Sequence, residues 1–204
     1  ASSAASGEGI IKLLTGTGND QNYIVVPVSA DRGLCGGFNS SINRETFKLV
    51  KSLENDGKNV QLMPVGKKSR DFFNRVMKEQ IVESFIDLNV SNNGYDSALA
   101  VSNKLQDLYF DGKFDKCILV FNKFKSAISQ EVTHQQLIPL DVSNKNNENK
   151  SNETESSDKA IYTYEPDEET ILQDLLPKNV SIQIFKVLLE SDAGEQGARM
   201  AAMD

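Results

Sequence analysis

The segment "VSADRGLCGGFN", residues 28 to 39, follows a short apolar run, "YIVVPV", and precedes a helix-like pattern. Gly33, Leu34, Cys35, Gly36 and Gly37 place three glycines and a cysteine within five residues. Three kinds of chemistry use such a segment. It can be a tight turn, because glycine reaches backbone angles closed to other residues. It can cradle a phosphate at the start of a helix, or it can present an activated thiol there.

The motif tests weaken two of these. A P-loop needs a lysine after its last glycine to reach the outer phosphates, but Phe38, Asn39 and Ser40 follow Gly37. A dinucleotide fingerprint needs G-x-G-x-x-G, and Gly33, Gly36 and Gly37 do not fit that spacing. A catalytic cysteine needs a base, and the only histidine, His134, sits in an alternating strand-like pattern. From the residues alone the segment reads first as a structural turn, with an anion or nucleotide site and a reactive thiol as alternatives. In the turn reading Asp31 accepts backbone N–H bonds locally, and Arg32 beside it is a surface partner or turn fixer.

Working outward, residues 23 to 29 read as a buried strand rich in β-branched and aromatic side chains. A helix is predicted from about Ser40 to Glu54, ended by "NDG". "NVQLMPVG" (59 to 66) reads as a second strand. "KKSRDFFNRVM" reads as a helix with Phe72, Phe73 and Val76 inward, and "IVESFIDL" (81 to 88) as a third strand. Residues 95 to 112 form a helix with Ala98, Val101, Leu105 and Leu108 on one face and Gly112 as its stop. Residues 116 to 124 read as a strand, paired antiparallel with 127 to 140. This alternation predicts an α/β fold: a mostly parallel sheet covered by helices on both faces, with the antiparallel piece at an edge.

The flanks differ. Residues 1 to 22 read as a flexible lead-in before a globular domain over 23 to 176. Residues 143 to 159 hold no apolar side chain and read as a solvated loop. "PDEETILQDLLP" reads as a helix with Asp167, Glu168 and Glu169 in its first turn, where the helix dipole favours acids. Pro177 is expected to restart a helix over 177 to 204. There the small residues Ser191, Gly194, Ala198 and Ala201 recur at helical spacing, a stripe suited to close contact with a partner helix.

Bulk properties bound the function. The chain has 204 residues, 39% of them hydrophobic, and a net charge of −7. That balance argues against nucleic acid, which selects for a Lys/Arg surplus. No apolar run reaches the roughly 18 residues of a membrane span, and "ASSAASGEG" has neither part of a secretory leader. Two cysteines, Cys35 and Cys117, are too few for a disulfide framework and suggest a reducing compartment. With one histidine they make a poor zinc set.

Four stretches, in order, carry a resemblance: "SADRGLCGGFNSSI" (29 to 42), "PVGKKSRDFF" (64 to 73), "YTYEPDEETILQDLLP" (162 to 177) and "EQGARMAAMD" (195 to 204). Together they resemble the F-type ATP synthase gamma subunit family: its S-D-R-G-L-C-G segment, its V-G-x-K-x-x-x-x-F, its Y-x-x-E-P stretch and the E-x-x-A-R-M opening of its long C-terminal helix. The resemblance implies a central-stalk rotor with no bond chemistry and no cofactor. It couples rotation of the membrane c-ring to conformational change in the beta subunits. The implied partners are the alpha, beta and epsilon subunits and the c-ring, in a hetero-oligomeric complex without nucleic acid. The implied place is the cytoplasmic face of a bacterial inner membrane, or the mitochondrial matrix face in a eukaryote. Asp31 to Gly37 become a structural strand–helix turn, and Glu195, Arg199, Met200, Ala202 and Met203 become candidates for shaft or partner contact. Most of the family's terminal shaft helices have no counterpart here, so a truncated C-terminal coiled-coil helix is expected. Residues 143 to 159 look like an insertion, and Gly194 and Gly197 stand where relatives tend to carry serine or alanine. A small nucleotide-binding α/β enzyme built on Gly33 to Gly37 is the alternative reading.

Overall fold

The apolar run after residue 21 forms the centre of a sheet because every side chain in it has a core to enter. In a computed structural model that describes residues 7–88, 90–126, 129–141 and 168–203, β1 (Asn22–Pro27) lies between β2 (Asn59–Leu62) and β3 (Lys116–Ser126), parallel to both. β4 (Ser129–Ile138) closes the order β2-β1-β3-β4 and runs antiparallel to β3. The period-2 geometry of β1 divides the interior in two. Ile24, Val26 and Val28 point to one core, and Tyr23 and Val25 point to the other.

Among the described residues, five α-helices cover these faces. α1 (Gly7–Thr15), α4 (Val90–Phe110) and α5 (Glu168–Met203) supply the first core through Leu13, Val101, Leu105, Val180 and Ile184. α2 (Phe38–Asn55) and α3 (Lys67–Val76) supply the second through Val50 and Phe73. The sheet is therefore mixed, mostly parallel and covered on both faces, as the alternation of patterns predicts.

The structure corrects several local expectations. The strand expected over 59 to 66 is regular only to Leu62 and continues as a bridge between Val65 and Val28. Met63 N donates to the Val25 carbonyl (3.0 Å) and Val65 N to the Pro27 carbonyl (2.9 Å), so Pro64 sits between them with its N–H-less side away from β1, the placement an edge strand allows. Residues 81 to 88 follow as two isolated bridges, Ile81 to Leu62 and Phe85 to Val65, and form no strand of their own. Val76, expected inward, is 49% exposed, since it ends α3 beyond the buried turn that carries Phe73. The expected lead-in over 1 to 22 contains α1: Ile10, Leu13 and Leu14 recur at helical spacing and pack on the first core. Residues 1 to 6 of that expectation, the loop over 143 to 159 and Asp167 lie outside the described residues.

Pro177 does not restart a helix. α5 is continuous through it, 36 residues long. The loss of one N–H is tolerated because the same turn is held by buried packing and by side chains. Leu176 and Val180 are buried on either side of it, and the Pro177 carbonyl accepts bonds from Ser181 Oγ (3.3 Å) and Gln106 Nε2 (3.4 Å). Ser102 Oγ accepts from Gln106 Nε2 (2.8 Å) and pairs with Ser181 Oγ (2.9 Å), which satisfies the polar groups at this α4–α5 contact.

At the end of the sheet remote from the glycine turn, Asp115 ties the chain entering β1 to the chain entering β3. Its carboxylate accepts from Thr17 Oγ1 (2.8 Å), Gln21 N (3.2 Å) and Asn22 N (2.9 Å). Burial pushes its pKa up, but these donors outweigh burial and the net shift is down. A depressed folded-state value means stabilisation that is present above the unfolded carboxylate value, about pH 4, and lost as pH falls through the folded value. Asp115→Asn is expected to cost about 1–3 kcal/mol at neutral pH, with the gap from the parent narrowing below about pH 4. Urea unfolding across that range checks this; a gap that is constant or widens toward acid contradicts it.

Candidate functional site

The segment after β1 is bound on three sides, beginning with α3. The first three N–H groups of a helix have no partner within it. In α3 the segment supplies all three. Lys67 N donates to Asp31 Oδ1 (2.8 Å), Lys68 N to the Ala30 carbonyl (3.1 Å) and Ser69 N to Ser29 Oγ (2.9 Å). Ser69 Oγ then donates to Asn43 Oδ1 of α2 (2.6 Å), inside the protein. Asp31 therefore accepts a backbone N–H as the sequence suggested, but from α3 and not within its own turn. Its carboxylate also offsets the two lysines that open α3 against the helix dipole.

This approach is so close that only glycine fits at the start of α3. Gly66 has φ +100, and a Cβ there would lie 2.1 Å from the Ser29 carbonyl oxygen.

The turn is closed from within by Asn39, a residue the motif reading passed over. Its Oδ1 accepts from Ala30 N (2.9 Å), while its Nδ2 donates to the Arg32 carbonyl (3.3 Å) and to Cys35 Sγ (3.1 Å). The available signal was an asparagine within the first turn of a helix that has no side-chain cap at Gly37. Leu34 (φ 61) and Gly36 (φ 55) take left-handed conformations at the tip, with Leu34 79% exposed. Cys35 points inward instead, 2% exposed, into a small apolar cluster with Ala30, Phe38 and Ile42.

The third side is the end of α5. Ser191 and Gly194 are buried, and Ala198 packs on the Cys35 cluster. A Cβ at Gly194 would stand 3.2 Å from the Phe38 ring and 3.3 Å from Gln130 Cγ. The small-residue stripe, expected to await another helix, is thus used within the domain as far as Ala198, and Ala201 is exposed. Asn122 of β3 donates from Nδ2 to the Phe38 carbonyl (3.2 Å). Arg199 Nη1 donates to the Gly33 carbonyl (2.8 Å) and Nη2 to Glu195 Oε1, both side chains being mostly buried. Met200, Ala202 and Met203 remain exposed. A groove with about 340 Å³ of space runs between Gly36, Gly37, Asn122, Val132, Ala198 and Ala201.

Chemically, the site lacks the features of a reactive centre. Burial, reinforced by Glu195 and opposed by Arg199, pushes the Cys35 thiol above its ordinary range, which disfavours the thiolate. His134 lies half-exposed on β4, 3.9 Å from Glu45 Oε1. The N–H groups of α3 that could face a phosphate are held by Ser29, Ala30 and Asp31.

The chain matches the family model described as "ATP synthase" over residues 3–204. The ATP synthase gamma chain of Rhodospirillum rubrum is 49% identical over 204 residues, all of this chain and 68% of the relative. That of Paramagnetospirillum magneticum is 44% identical with the same coverage. Among solved structures, a chain of the Tetrahymena thermophila mitochondrial ATP synthase central stalk/c-ring superposes with TM-score 0.67 at 25% identity, covering 96% of this chain and 80% of that one. A chain of the Euglena gracilis mitochondrial ATP synthase rotor has the same fold at 17% identity, with TM-score 0.64 over 95% of this chain and 72% of that one.

The geometry gives a direct substitution test. Gly66→Ala is expected to cost about 2–5 kcal/mol, from the left-handed conformation and the clash with Ser29 together. Gly57→Ala, at φ +77 with nothing within 4 Å, should cost only about 1–2 kcal/mol. Denaturant midpoints of the two variants check this; equal losses contradict the close approach.

Proposed function

The chain belongs to the ATP synthase gamma family, and we propose that its glycine turn and C-terminal helix form the joint through which this rotor subunit passes torque. The protein is a non-catalytic subunit in the central stalk of a rotary ATP synthase. Among the described residues no helix is long and apolar enough to cross a membrane.

One observation carries the joint: α5, continuous over 36 residues, is anchored by the turn near its far end. A rotor couples two processes only if its orientation biases the states of its partners, which requires different contacts in each orientation. It must also resist twist between the place where it is driven and the place where it acts. The two-core α/β body is a rigid foot for that purpose, and α5 is the member that leaves it.

Finer assignments follow from this reading. The described residues between 7 and 141, α1 included, form the body, and the shaft helix begins at Glu168 rather than at Pro177. The body faces the c-ring and the epsilon subunit, and the extension of α5 faces the alpha and beta subunits. Met200, Ala202 and Met203, exposed at the end of α5, are the partner-contact candidates. The body lies on the cytoplasmic side in a bacterial source and on the matrix side in a mitochondrial one. Asp31 to Gly37 serve as structure and not as a nucleotide site.

In the assembled complex, a probe attached at the exposed loop residue Asp56 is expected to revolve during ATP hydrolysis. Single-molecule imaging reads this. A probe that stays fixed while hydrolysis proceeds contradicts the rotor reading, as does stoichiometric ATP binding that is lost on Gly36→Val.

A further inference from the structure

We propose that Arg199 is a positioning residue of the rotor, a pin that fixes the rotational setting of the α5 shaft on the globular body, with Glu195 as the group that aims it. The inference rests on the rotor reading for its consequence and on the fold alone for its geometry.

Where α5 meets the turn, the apolar contacts are made by Gly194 and Ala198. Such small side chains set how close the helix comes. They offer little resistance to rotation about the helix axis, because they present an almost smooth surface. Resistance to twist needs a side chain that reaches off the axis to a fixed point. Arg199 does so, with Nη1 on the Gly33 carbonyl at 2.8 Å.

Both ends of that link are held. On the helix side, Glu195 lies one turn earlier and accepts from Nη2, so the two nitrogens fix the plane of the guanidinium. On the turn side, the Gly33 carbonyl belongs to a loop that cannot slide. Asn39 holds the adjacent Arg32 carbonyl and Ala30 N, Cys35 is buried beneath, and Ser29, Ala30 and Asp31 are bound to α3. The link is 22% exposed at Arg199 and 16% at Glu195, so water competes for it only weakly. The geometry also selects arginine. A lysine ammonium carries the charge but lacks the planar fork that serves carbonyl and carboxylate together.

The test uses the full-length subunit in its assembled complex, as parent, Arg199→Ala and Arg199→Lys. Hydrogen exchange of the peptide spanning residues 28–41 reports the link itself, through the protected amides Ala30, Phe38 and Ser41. The proposal expects about ten-fold faster exchange there in Arg199→Ala, and a smaller acceleration in Arg199→Lys, with the β1 and β3 amides unchanged. Ten-fold corresponds to about 1.4 kcal/mol, the scale of one hydrogen bond to a charged group. The second readout is torsional compliance, the angular spread of a probe on the body while catalysis is arrested. It should broaden in both variants. If exchange in residues 28–41 is unchanged by Arg199→Ala, the residue acts elsewhere and the proposal is overturned. Faster exchange with an unchanged angular spread overturns the pin as a rotor device. Absence of rotation in the parent complex would instead sink the rotor reading, leaving the exchange result to stand on its own.

Discussion

The structure depends on how the first turn of α3 finds partners for its backbone N–H groups. Those donors cannot be met inside the helix. Lys67 and Lys68 open α3 at the surface, while the Ser69 N–H is buried, and leaving it unpaired there costs about 1–3 kcal/mol. Ser29, Ala30 and Asp31 meet all three. This requirement forces the chain leaving β1 to pass directly over Gly66, which excludes any side chain there. It then places the returning half of the turn where Asn39 can close it and α2 can begin. The glycine at 66 is a consequence of that crowding, whereas Gly36 stands in open space and serves the left-handed backbone of the turn's tip. The same crowding takes up the donors that a phosphate would need from α3.

A segment constrained in this way is a good anchor. The Gly33 carbonyl is held by neighbours whose own bonds run to two helices, so a load applied there is shared across α2, α3 and the sheet. The end of α5 exploits this in two ways. Gly194 and Ala198 allow close approach to Phe38 and Cys35, and Arg199 bonds the turn directly. Glycine inside a helix costs about 1 kcal/mol against alanine. At Gly194 that cost is offset by a fit in which even a Cβ would crowd Phe38. A subunit whose task is to transmit rotation gains from a stiff junction at this place, where the shaft departs from the body.

Much of this was legible in the sequence where the periodic signal was long. β1, β3 and β4 and helices α2 and α4 follow from apolar spacing, and the mixed sheet follows from their order. The failures share a physical origin, in that each turned on a tertiary partner. β2 is regular only to Leu62, although bonds to β1 continue past Pro64 at Met63 and Val65. Pro177 did not end α5, because buried neighbours and Ser181 hold the helix through it. α1 was hidden by a glycine- and serine-rich start, though Ile10, Leu13 and Leu14 carried its pattern. In the site, the turn was recognisable from its glycines, but its organiser, Asn39, was not. One asparagine among polar helix-start residues has no periodicity to mark it. The stripe at 191, 194 and 198 was read correctly as a close-contact surface and assigned to the wrong partner, since spacing tells that something packs there and not what.

The central claim is that the turn after β1 is a structural hub whose bonds to α3 are as permanent as the sheet. Native-state hydrogen exchange followed by NMR at the amides of Lys67, Lys68 and Ser69 tests it most directly. The first turn of an ordinary helix frays and exchanges without global unfolding. Here these three amides are expected to exchange as slowly as Val25 and Val26 of β1, with the same denaturant dependence. Exchange of Lys67, Lys68 and Ser69 at rates near those of an unstructured peptide would contradict the account.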